Sequence, residues 1–159
     1  MIKNNKKHPN SKFCFVCGMK NDIGIKARFY SNEKNELIAY FTPDDMFQGY
    51  PERLHGGIAA TILDEAIGRA INIDAPSIFG VTTDLKIKYR KPLPLNQELK
   101  AVCRLTRDTR MLFEGTGEIY TPDGEIAVSA EGRYMKMDVA KITDHDFGVG
   151  SEEWKVYPD

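Results

Sequence analysis

The chain has 159 residues, a length that fits one domain built round one sizeable core. Hydrophobic residues make up 42% and charged residues 28%, which excludes a wholly disordered chain. Lys+Arg 22 against Asp+Glu 23 leaves a net charge of −1, so the chain lacks the cationic excess of a non-specific nucleic-acid or membrane-surface binder.

In chain order, residues 1–12 are polar and basic and read as a frayed arm. They contain no apolar stretch of the secretory type. Residues 23–30 (IGIKARFY) alternate and predict a strand, SNEKNE a turn, and residues 37–41 a second strand. A Pro-, Gly- and Asp-rich loop, TPDDMFQGYPERLHGG, leads into the one strong helical pattern, about residues 57 to 72. Thr61, Asp64, Glu65, Gly68, Arg69 and Asn72 form its polar stripe, with the small face of Ala59, Leu63, Ala66 and Ala70 opposite. Residues 79–90 alternate, with Val81, Thr83, Leu85, Ile87 and Tyr89 on one face and Thr82, Asp84, Lys86, Lys88 and Arg90 on the other. Strands follow at about 98–107, 111–120 and 125–137, the last two joined by a turn with Asp123-Gly124. Residues 138–159 have no clear period, and Trp154 and Tyr157 are the side chains able to dock them.

Two strands, one long helix and four strands with short turns predict an α+β domain whose antiparallel sheet curls round the helix. Its outer face and edges favour self-association. The segmentation read here is an arm over 1–12, a domain over 13–137 and a tail over 138–159. No run of apolar residues is long enough for a membrane span.

Cys14, Cys17 and Cys103 are too few for a disulfide framework and suit a reducing compartment, so the cytoplasm is the expected location. Cys14-Phe15-Val16-Cys17 is a single CxxC. A structural zinc needs four ligands, and Cys103 with His8, His55 and His145 are the other Cys and His side chains, so packing as small hydrophobes is the favoured role and no metal is assigned.

Gly56 and Gly57 at the helix start leave backbone N–H groups unobstructed at the positive end of the dipole, a place for an anion or a developing oxyanion. Without that chemistry they simply allow a tight loop-to-helix junction. Asp64 borders the apolar face, where a carboxylate can act as base or nucleophile or be salt-bridged. Eight residues separate Gly56 from Asp64, about 12 Å along a helix axis. One helix cannot bring both to one carbonyl, whereas two antiparallel helices across a two-fold axis can. If the pair is catalytic, the enzyme is an obligate dimer with composite sites. His55 either caps the helix or binds substrate. Lys86, Lys88, Arg90 and Lys91 form a basic row, a solvated face or a phosphate contact.

HGGIAATILDEAIGRA followed by GVTTDLKIKYRKPLP resembles the hotdog-fold acyl-CoA thioesterases, in their PaaI-like branch. CFVCGMKNDIGIKARF and FQGYPERLHGG are similar to the opening of members of that branch, so the resemblance covers about residues 13 to 137. It implies a hotdog fold, a homodimer or homotetramer, and hydrolysis of an acyl-CoA without cofactor or metal. It places the oxyanion donor on Gly56, the catalytic carboxylate on Asp64 and a positioning hydroxyl on Thr82. Gln48, His55, Gly57 and Glu65 are the further candidates for substrate contact, Glu65 also as the second-choice carboxylate. The family often has an Asn six residues before the His; here that position is Gly49, with Gln48 beside it. General-base and nucleophilic roles for Asp64 both stay open. A non-catalytic acyl-CoA-binding protein and a hotdog enoyl-CoA hydratase using His55 with Asp64 are the alternative readings.

Overall fold

The computed structural model describes residues 5–159. Among them, β1 (Lys6–Lys7), β2 (Asn10–Ser11), β3 (Arg28–Ser31) and β4 (Leu37–Phe41) precede α1 (Gly56–Arg69). Then come β5 (Gly80–Tyr89), β6 (Leu99–Asp108), β7 (Leu112–Tyr120), β8 (Ile126–Lys136), a short α2 (Val139–Ile142) and β9 (Trp154–Lys155). Seven strands form one antiparallel sheet in the order β1-β3-β4-β6-β7-β8-β5, and β2 pairs separately with β9. Among the described residues no helix is long and apolar enough to cross a membrane.

The sheet wraps α1 because both faces at the contact are apolar. Ala59, Ile62, Leu63, Ala66 and Ile67 of α1 are buried against Phe29, Ala39, Ala101, Cys103, Phe113 and Ile119 of the strands. The alanines keep that helix face low, so strands approach the axis. Truncating Leu63 or Ile62 to Ala in such a core costs about 2–5 kcal/mol. This is the expected hotdog architecture, a helix enclosed by an antiparallel sheet.

Four expectations need correction. The strand foreseen over residues 23–30 is regular only as β3, because the N–H groups of Ile25 and Ala27 bond to Phe15 O and Val16 O of the cysteine loop. The arm over residues 1–12 is packed over its described part: β1 pairs with β3, and His8 and Asn10 are buried. Residues 1–4 lie outside the described residues. The α-helix ends at Arg69, and Ala70–Ile73 tighten into a 3-10 turn.

The fourth correction matters most for the site. Alternation through residues 79–90 is not continuous, since a bulge shifts the β5–β8 register between Thr82 and Asp84. Thr82 pairs with the buried Tyr134 and shares its helix-facing side, while beyond the bulge Leu85, Ile87 and Tyr89 take that side. An extra residue in one strand flips the parity of everything after it. Thr82 and Tyr89, expected on opposite faces, therefore both address α1. The tail is anchored by Trp154, which is buried and packs edge-on against Phe79.

Candidate active site along helix α1

The loop before α1 folds back on itself. Gly49 N–H donates to Arg53 O, and His55 N–H donates to Phe47 O, both at 2.9 Å. His55 is the helix N-cap, its Nδ1 accepting from Gly57 N–H at 2.8 Å. When neutral, the ring therefore carries its proton on Nε2. Of the roles open to His55, the capping role is the one the geometry contains. Gly56 opens the helix, at a position where a backbone amide has no partner within the helix itself. Tyr89, exposed near the end of β5, donates its hydroxyl to Gly56 O at 2.7 Å and ties the helix start to the sheet.

A groove of about 290 Å³ opens beside Gly56. Leu54, Ala59 and Val128 give it apolar walls, and Arg90 and Lys91 also line it. The basic row thus spans two grooves: Arg90 lines this one and also a larger one, where Lys86 and Lys88 lie with Thr116 and Glu131.

Asp64 lies two turns further along α1 and is half-buried. Its Oδ1 accepts from Thr82 Oγ1 at 2.8 Å. Tyr134 donates its hydroxyl to the Asp64 backbone carbonyl at 2.6 Å, and lies 3.4 Å from Oδ1. Burial first, and the Asp64 charge second, push the Tyr134 phenol well above its ordinary value, so it stays a donor. Its ring stacks on Phe113, centroids 5.1 Å apart. A Cβ on Gly68 would meet that ring at 2.8 Å, so glycine there lets Tyr134 lie across the helix.

The structure therefore brings Asp64 and Thr82 together, and sets His55, Gly56 and Gly57 together at the other end of α1. Gly56 and Asp64 belong to one continuous helix, so within one copy they stay about 12 Å apart along its axis. Gln48 is exposed; its Oε1 lies 3.4 Å from Glu52 N, and it does not reach Asp64. Gly49 is close against His55, where a Cβ would stand 3.1 Å from His55 Cα. Glu65 points away from both groups and into the Cys14–Cys17 loop, each sulfur 3.3 Å from Oε1. Tyr134 and Tyr89 are the site residues that sequence reading missed. Their one signal is a phenol on an inward strand position, which needs a polar partner.

The thioesterase superfamily matches residues 52–128, from the loop before α1 into β8. Acyl-coenzyme A thioesterase THEM4 of Rattus norvegicus is 26% identical over 129 residues, 80% of this chain and 55% of its own length. The chain thus spans about half of that relative. Among solved structures, a thioesterase superfamily protein is 28% identical with a TM-score of 0.70, covering 77% of this chain and 59% of that one. A Bacillus halodurans protein solved with CoA is 26% identical with a TM-score of 0.61, over 69% of this chain and 72% of that one. The E. coli PaaI protein shares the fold at 15% identity and a TM-score of 0.64, over 71% and 80%. The matched segment and the relatives liken the chain to the thioesterase superfamily, and its helix-in-sheet architecture is the hotdog fold of those neighbours.

Proposed function

We propose that this protein hydrolyses acyl-CoA thioesters at a composite site formed by two copies of the chain. The carrying observation is the Asp64 carboxylate, held by the Thr82 hydroxyl beside Tyr134. The matching thioesterase relatives and a neighbour solved with CoA support the substrate class. The Gly56 N–H, at the positive end of α1, is the donor for the thioester oxygen as charge develops. Asp64 of the partner copy activates water as general base, or attacks the carbonyl itself. The acyl group fits the apolar groove beside Gly56, with Arg90 and Lys91 near the CoA phosphates.

The composite arrangement is supported by the open edge of the sheet. β5 pairs with β8 on one side, and among the described residues no strand pairs with its other side. An exposed ten-residue edge is a template for a second copy. Edge-to-edge pairing through a two-fold axis sets two α1 helices antiparallel, bringing Gly56 of one toward Asp64 of the other.

Release of free thiol from a panel of aromatic and aliphatic acyl-CoAs tests the reading. Asp64→Asn is expected to cut kcat by about 10²–10⁴-fold with the fold and dimer intact. Unchanged turnover in that variant, or a strictly monomeric active protein, overturns it. A non-hydrolytic acyl-CoA binder is the second reading, favoured by Gly49 standing where the family often has an Asn. Tight acyl-CoA binding without thiol release selects it.

A further inference from the structure

The face of α1 turned away from Asp64 carries a second cluster that the hydrolase reading does not use. Cys14 is half-buried, Cys17 is buried, and Glu65 reaches both. Their ligand atoms all lie within 4.8 Å of one another, and among the described residues this is the one such group of three metal-ligating side chains.

We propose that Cys14, Cys17 and Glu65 form a binding site for a thiophilic divalent cation, Zn²⁺ being the fitting one, with a fourth position left to water or an exogenous ligand. Zn–S distances of about 2.3 Å and Zn–O distances of about 2.1 Å at a tetrahedral angle put sulfur and oxygen about 3.6 Å apart. Both Cys-to-Glu65 separations are 3.3 Å, so a small displacement of the side chains admits the ion.

The loop is built to present sulfur. Ser11 N–H reaches Cys17 Sγ at 3.4 Å, and both sulfurs face the Glu65 carboxylate. Gly18 closes the turn: its N–H donates to Cys14 O at 2.7 Å, and a Cβ there would stand 2.3 Å from that same oxygen. CxxC spacing alone supplies two ligands; folding supplies the third from a residue 48 and 51 positions away.

Polar atoms here lack partners. Glu65 Oε2, Arg69 Nε and Arg69 Nη1 are buried without hydrogen bonds, and Arg69 Nη1 stands 4.0 Å from Glu65 Oε1. Of these, Glu65 Oε2 is an unpaired acceptor that a cation can satisfy, while the Arg69 donors need an acceptor and enter through the charge balance of the cluster, not as part of the ligand set. Two thiolates, one carboxylate, a divalent cation and the Arg69 guanidinium sum to zero charge, which suits burial. Arg69 is fixed between the Phe29 ring, 3.9 Å away, and the Trp154 ring, 4.4 Å away. The site would staple the cysteine loop to α1 and leave the Asp64 face free, so it stands apart from the hydrolase reading.

The test is a titration of the full chain, kept reduced with a phosphine, with Co²⁺ and then Zn²⁺. One equivalent per chain is expected, with a near-UV thiolate-to-cobalt charge-transfer band that Zn²⁺ abolishes. Cys17→Ser should lose the band, and Glu65→Gln should weaken binding at least about tenfold. Should those variants fold poorly, the unaltered zinc-loaded protein still decides. Blocking Cys14 and Cys17 with a mercurial, verified by peptide mass, should release one zinc per chain. A missing band, affinity unmoved in Glu65→Gln, zinc retained after both thiols are blocked, or a Cys14–Cys17 disulfide that resists the phosphine overturns the proposal.

Discussion

Asp64 and Glu65 are adjacent carboxylates on one helix, yet they meet different environments. Successive helical residues point about 100° apart. Asp64 therefore faces β5 and β8, where hydroxyls of Thr82 and Tyr134 meet it and solvent remains close. Glu65 faces the N-terminal segment, where burial pushes its carboxyl up, opposed by Arg69. A charged group beside water and preorganised donors suits chemistry. A carboxyl among thiols, aromatic rings and a guanidinium suits holding chain segments together. The same residue class thus divides between two tasks by helix phase alone.

The comparison can be broken from the Glu65 side first. Arg69→Met removes the guanidinium between Phe29 and Trp154, its bond to Pro9 O and its pairing with Glu65. Removing one partner of such a buried group is expected to lower unfolding free energy by about 3–5 kcal/mol, read by urea denaturation. Turnover per folded molecule should not change. A loss of kcat at full stability would show that the two faces are not separate.

Acid tests the same side. His8 is buried and bonded to Ser31 Oγ at 2.8 Å; burial first, then Arg69 and Lys6, lower it from 6.5 to about 4. A histidine held neutral in the folded state stabilises fully above its unfolded value. As pH falls from 6.5 toward 4, the unfolded state takes up the proton first, so stability drops. The loss by pH 4 approaches about 3 kcal/mol at most. Equilibrium unfolding of the protein and of His8→Asn across that range measures it; parallel pH profiles would remove His8 from the account.

How far each region can be read from sequence follows from how local its causes are. The α1 pattern and the four strands after it depend on periodicities within a dozen residues, and they appear within about three positions of where the periodicity puts them. The Gly56-Gly57 helix start is local too. The Thr82–Asp64 contact spans 18 residues and enters only through family resemblance. The bulge after Thr82 leaves no mark on composition, because Thr-Thr-Asp alternates acceptably either way. Glu65's partners lie about fifty residues upstream, and Trp154 meets Arg69 from the far end of the chain. No periodicity encodes those meetings, since packing of the finished sheet creates them.

Smaller changes sharpen the Asp64 side. Tyr134→Phe keeps the ring stacked on Phe113 and removes the hydroxyl at the Asp64 carbonyl. One buried bond lost is expected to cost about 1–2 kcal/mol of stability and to slow turnover through a displaced Asp64.

Thr82→Val isolates the carboxylate itself. Valine keeps the shape and strand preference of threonine and deletes one hydroxyl donor to Oδ1. Thr82 is exposed, so unfolding free energy should move by no more than about 0.5 kcal/mol. A hydrogen bond to a charged group is worth about 1.5 kcal/mol, and its loss should appear as about a tenfold fall in kcat with KM little changed. A change in KM alone would assign Thr82 to substrate contact rather than to holding Asp64. No change in either constant would mean that Tyr134 and the helix position the carboxylate without it.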